Sequence, residues 1–153
     1  QELAPQYLAG QHGSCLLSRG TQQVLSSLVL GPRSNFVDPG TVEKQLISQL
    51  DSLPYSRNAA GRMFTRHQVD QEGSLSKVLP GMDRFGFVSR LFTEVLSADG
   101  IDTSAAVSAG SVALAAAGVP ITAQVASASC ALFLPTTHGA PHTLAADPSV
   151  RPS

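Results

Sequence analysis

The sequence predicts an α/β (α+β) domain, and three segments carry that expectation. Residues 22–30, QQVLSSLVL, are β-branched and apolar, and residues 84–96, RFGFVSRLFTEVL, set Phe85, Phe87, Leu91 and Val95 two or four apart, so both read as strands. Between Gly100 and Gly118 the chain turns to DTSAAVSAGSVALAAAG, rich in Ala, Leu and Ser and closed by Gly118-Val119-Pro120, which reads as a helix with a C-terminal stop. Val24–Leu30 and Val88–Leu96 are expected to be buried strands with a helix over 104–117 packed on them, because these segments alone offer continuous apolar faces.

Elsewhere the signals are weaker. Gly31-Pro32 reads as a turn ending the first strand, and GPRSNFVDPG as loop. From Thr41 to Leu50 the apolar residues Val42, Leu46 and Leu50 recur every four, with Asp38-Pro39 as N-cap and first-turn proline, so local rules read a helix. Residues 57–74 are polar and weakly periodic, a surface loop with room for one short helix and nothing that looks like core. Residues 121–134 return to strand character. The tail from Pro135, rich in Pro, Ala, Thr and His, has little to bury and is expected to be irregular, which places the domain in 1–134 and the tail in 135–153.

A chain of 153 residues fits one domain with a real core. Its net charge of −1, with only 14% charged residues, lacks the basic excess of a self-sufficient nucleic-acid binder, so any RNA must be held by a few local groups or by other chains. Cys15 and Cys130 have no metal-ligand or C-x-x-C spacing and read as buried free thiols in a reducing compartment, the cytoplasm or an organelle matrix. The first residues carry no secretory signal, and the chain opens on Gln1 rather than Met, as an excised or processed piece would. The most apolar stretch, Ser104–Pro120, is shorter than the ~20 residues a bilayer span needs, so no membrane partner is expected.

Four segments, in order, carry a resemblance to a known family. They are HGSCLLSRGTQQVL (His12–Leu25), LPYS with GRM (Leu53–Ser56, Gly61–Met63), LPGMDRFGFVSRLFTEVLSADG (Leu79–Gly100) and SVALAAAGVPI (Ser111–Ile121). Together they resemble the RNase PH family, and within it the second such domain of polynucleotide phosphorylases. The resemblance implies mixed β-sheets with packed helices, assembly as a ring-shaped trimer, and RNA as the partner. It also implies a reaction in which inorganic phosphate attacks the 3′-terminal phosphodiester and releases a nucleoside diphosphate, with Mg2+ as the expected metal, though no ligands for it are identified in this chain. For residues 46–53 it implies strand, and strand is the expectation there.

The family's phosphate loop, G-S-S-S, corresponds here to Gly100-Ile101-Asp102-Thr103-Ser104. A glycine turn entering a helix offers unpaired N–H groups and a positive dipole end to an anion, and Thr103 and Ser104 retain hydroxyl donors. Asp102 opposes them: at ~4 Å and an effective dielectric of 20, repulsion per unit charge is on the order of 4 kcal/mol, against ~1 kcal/mol for each hydroxyl hydrogen bond. The structural alternative makes Asp102 a helix cap. Arg66 and His67 fall near the family's R-R-E-I-G-H-G, where Gln71 or Glu72 would stand for its histidine; the alternative is a solvated loop. Arg19 and Arg62 are candidates for RNA contact or plain surface residues. His12 reads as part of a capped turn entering a strand, and His138 and His142, separated by Gly139 and Pro141, do not read as a metal pair. The family's acidic pair and lysine lie beyond the strand ending near Phe133-Leu134. Here that region offers Asp147 as its only acid and no lysine, so no catalytic residue is assigned and the chain is expected to be inactive alone, as a fragment or a scaffolding module.

Overall fold

A computed structural model describes residues 2–32, 44–52, 65–81, 84–98, 103–133 and 143–146, with 65–68, 131, 133, 143, 145 and 146 described in backbone only. The sheet starts as a meander. Strands β1 (Glu2–Pro5), β2 (Gly13–Arg19) and β3 (Gln22–Pro32) pair antiparallel in turn. Arg19 faces Gln22 across a two-residue turn whose first position, Gly20, has φ of 59°, a conformation that glycine adopts without strain. Strand β4 (Leu46–Ser52) is followed by helix α1 (Thr65–Leu75), a short 3-10 turn (Ser76–Val78) and strand β5 (Phe87–Ser97). Strand β5 inserts between β3, antiparallel, and β4, parallel, giving a mixed five-stranded sheet of order β1-β2-β3-β5-β4. Helix α2 (Thr103–Ala116) follows, then β6 (Cys130–Phe133) and β7 (Thr143–Ala146), an antiparallel pair of its own.

Both helices cover one face of the sheet. Side chains alternate across a strand, so Cys15, Leu17, Val24, Leu28, Leu46, Leu50, Leu91 and Val95 all point to that face, where they meet Leu75 and the alanines of α2. Small residues let α2 sit close: a Cβ placed on Gly13 would lie 2.3 Å from the Ala113 carbonyl oxygen. The helix ends as its sequence predicts. Gly118, at φ 73°, donates its N–H to Ala115 O (3.0 Å), and the Val119 N–H reaches Leu114 O (3.2 Å), a Schellman cap with buried Val119 as its apolar contact.

The two expected buried strands and the 104–117 helix are all present, as is strand at 46–52. A spacing of four is even, so Leu46 and Leu50 share a face of a strand as readily as of a helix, and pairing with β5 decides between them. Other expectations need correction. Strand β3 runs through Gly31-Pro32: β2 stops pairing at Leu28, so Pro32 sits at the strand's end, opposite Phe87, where a missing N–H is tolerated. Residues 65–75 are a helix that does contribute to the core, with Gln71 and Leu75 fully buried. Residues 121–129 are not strand. The backbone there is held by side chains of α2, with the Val125 N–H donating to Ser111 Oγ (2.8 Å) and the Ser127 N–H to Ser108 Oγ (3.2 Å), while Thr122 N–H reaches Val78 O (2.8 Å). The tail contains a strand, β7, and Cys130 is exposed, whereas Cys15 is a buried free thiol.

Candidate anion site

The chain path sets which ends of the elements meet. Helix α1 returns from the end of β4 to the start of β5, and α2 returns from the end of β5, so both run against the two parallel strands and alongside each other. Contacts agree: Gln71 Nε2 donates to Ala106 O (3.0 Å), and one turn further along both helices Leu75 Cδ1 lies against Gly110. Both helix N-termini therefore stand at the C-terminal ends of β4 and β5, the end of an open α/β sheet where loops and helix dipoles converge on ligands.

Each sequence candidate can be placed against that end. Thr103 and Ser104 open α2; Thr103 is half-buried and Ser104 buried, its carbonyl accepting the Ser108 hydroxyl (3.0 Å). The first N–H groups of a helix have no partner within it, and they carry the positive end of its dipole. Arg66 and His67 lie in the first turn of α1, so what read as a loop is helical backbone; their side chains lie outside the described residues, as do Arg62, Asp102, His138 and His142. Arg19 closes β2 at the same end of the sheet, since Arg19 faces Gln22 and Gln23 faces Ser97 at the end of β5. It lines a cavity of about 310 Å³ with Leu17, Ala105 and Ser108. The structure thus brings Arg19, the start of α2 and the backbone of Arg66-His67 to one end of the fold.

Two sequence readings change. Gln71, a candidate for the family's histidine, is fully buried: its Oε1 accepts the Ser48 hydroxyl (2.8 Å), and Nε2 donates to Thr93 Oγ1 (2.9 Å) as well as to Ala106 O. Neighbouring Glu72 pairs with Lys44, two residues before β4 (2.5 Å), away from the helix N-termini. His12 Nδ1 accepts the Leu30 N–H (3.3 Å), completing β3 beyond the reach of β2, as its turn reading expects. Nothing in the sequence signalled the Ser48–Gln71–Thr93 network beyond a glutamine four residues before Leu75. Among the described residues no three His, Cys, Asp or Glu side chains gather in a group that could hold a metal ion. No helix among them is long and apolar enough to cross a membrane.

The mixed sheet with both helices on one face is an RNase PH-like domain. Its fold matches that of rice (Oryza sativa) Rrp46 with a TM-score of 0.71 over 87% of this chain and 63% of that one, at 16% identity. In sequence the chain is 31% identical over 134 residues to the polyribonucleotide nucleotidyltransferase of Solibacter usitatus, and 36% identical over 138 residues to that of Streptococcus thermophilus, covering 80% and 83% of this chain. The chain is thus similar to one segment of the polyribonucleotide nucleotidyltransferases, spanning 19% and 18% of the length of those two curated relatives. No family model matches it.

Proposed function

We propose that this chain serves phosphate-dependent 3′-to-5′ RNA degradation by holding phosphate and RNA, and that it does not complete the reaction alone. The observation that carries this reading is that both helix N-termini stand at the C-terminal ends of β4 and β5, with Arg19 of β2 at the same end of the sheet. Inorganic phosphate, the co-substrate, is held by the N–H groups opening α2, by Thr103 and Ser104, and by Arg66 and His67 from α1. Arg19 and Arg62 contact the RNA backbone. In the reaction an oxygen of inorganic phosphate forms a bond to the terminal phosphorus as the bond to the 3′ oxygen breaks, and a nucleoside diphosphate leaves. Positioning and charge neutralisation supply most of such catalysis. The departing 3′ oxygen still needs a proton donor or a metal. In this reading partner subunits supply those groups, since Asp147 is the only acid after residue 134 and no three metal-binding side chains gather among the described residues. A ring-shaped trimer that includes subunits of different sequence is one source. A reducing cytoplasm or organelle matrix suits the buried Cys15 thiol.

Calorimetry with inorganic phosphate on the unmodified chain and on Asp102→Ser tests the site. Removing the carboxylate and restoring a hydroxyl should raise affinity at least tenfold, or ~1.4 kcal/mol. Nucleoside-diphosphate release from a short RNA should stay at background for both proteins. Unchanged affinity would mean that Asp102 points away from the site or that no site exists, and release by the unmodified chain would overturn catalytic incompleteness. A purely scaffolding role is favoured by one observation, the exposed pair Leu132 and Leu144 facing each other across β6 and β7. It requires assembly without phosphate binding, so phosphate affinity in the unmodified chain excludes it.

A further inference from the structure

The Gln71 side chain is fully buried where three strands and two helices meet. Its amide oxygen takes the Ser48 hydroxyl from β4, and its amide nitrogen reaches Thr93 on β5 and the Ala106 carbonyl on α2; Thr93 Oγ1 in turn lies 3.1 Å from Ser26 Oγ on β3. The Ala106 carbonyl can only accept, so it fixes which way the amide faces. An aliphatic side chain would fill the same space, and a satisfied polar network adds what an aliphatic cannot: one permitted arrangement of the elements it joins. Among the elements joined are the two helices that carry the proposed anion site. Ala106 lies one turn into α2, three residues after Thr103, and Gln71 lies one turn beyond position 67 on α1.

We propose that Gln71 is a positioning residue that sets the first turn of α1 against the first turn of α2, so that groups from both act on one phosphate. This rests on the anion-site reading above. The test compares inorganic phosphate binding by calorimetry, with amide hydrogen exchange over residues 103–107, in the unmodified chain and three variants. Gln71→Met keeps the length and removes the hydrogen bonds; it should lower phosphate affinity about tenfold and speed exchange at the start of α2. Thr93→Val removes one bond from the sheet side and should lower affinity about threefold. Leu28→Ala weakens the core without removing any hydrogen bond of the network and should leave phosphate affinity within about twofold despite lower stability. Unchanged affinity in Gln71→Met overturns the proposal, as does an equal loss in Leu28→Ala. Should Gln71→Met fail to fold, unchanged affinity in Thr93→Val overturns it instead. A folded unmodified chain that binds no phosphate defeats the anion-site reading and this role together, whereas phosphate binding indifferent to Gln71 defeats this role alone.

Discussion

The two helices lie side by side on one sheet and are held there by opposite means. Helix α2 carries no charged residue, buries Ala105, Ala106, Ala109, Ala113 and Leu114, and approaches β2 until backbone meets backbone at Gly13. Helix α1, TRHQVDQEGSL, is polar along most of its length, and among its described side chains Leu75 and Gln71 anchor it. Fit of shape holds the first, and directed hydrogen bonds hold the second. Shape gives no rotational preference beyond sterics, while hydrogen bonds specify orientation, which suits α1 to carrying ligand-facing groups at its start.

The strongest way to break this comparison is Gly13→Ala. The new Cβ would meet Ala113 O at 2.3 Å, Ala117 Cβ at 2.7 Å and Ala117 N at 2.8 Å; two of these are backbone atoms that can yield only by moving the helix. Urea unfolding should show a loss of about 3 kcal/mol. A loss below about 1 kcal/mol would mean that α2 slides freely and is not held by fit. Gly110→Ala should cost less. Its neighbours are the side-chain ends Leu75 Cδ1 and Leu91 Cδ2 at 2.9 Å and Gln71 Nε2 at 3.3 Å, and helix propensity returns about 1 kcal/mol, leaving a net loss of about 1 kcal/mol. If Gly110→Ala were the worse of the two, the α1–α2 seam rather than the β2–α2 seam would be the tight one.

The smallest effect sharpens the same seam. Cys15 lies under α2, and burial raises its thiol pKa above the usual 9.0. The folded chain therefore keeps the proton that the unfolded chain loses, so this contribution to stability is whole below about pH 9 and is lost as pH rises through the folded value. Unfolding midpoints of the unmodified chain and Cys15→Ala should keep a constant difference from pH 7 to 8.5 and converge toward the variant at pH 10. Iodoacetamide should label exposed Cys130 in the native chain and Cys15 only on unfolding. Equal labelling rates would show that the seam opens readily.

How much of this was legible in the sequence follows from the same contrast. Strands β3 and β5 and helix α2 announce themselves because each buries a continuous face of its own. At β4 the residues alone are ambiguous, since Leu46 and Leu50 satisfy both periods; the resemblance resolves them. Helix α1 is illegible because burying Gln71 and Leu75 leaves no apolar stripe, and a glutamine reads as polar until its partners Ser48, Thr93 and Ala106 are known. Residues 121–129 look like strand because their composition fits an extended backbone, yet Ser108 and Ser111 take the hydrogen bonds that a neighbouring strand would have made. At the site, the opening of α2 was readable from the turn and the hydroxyls, whereas the alignment of both helix N-termini depends on β5 lying between β3 and β4.

That insertion of β5 also governs how the chain reaches its fold. Strands β1, β2 and β3 can zip together through near neighbours as soon as they are made. The meander then presents the far side of β3 as an unpaired edge until β5 arrives, because Pro32 must wait for Phe87 and β4 has no parallel partner before then. Non-local pairing of this kind slows folding and prolongs the exposure of a sticky edge. The half-made sheet is thus the species most prone to pair with another nascent chain, and a ribosome-associated chaperone would find its substrate in that interval.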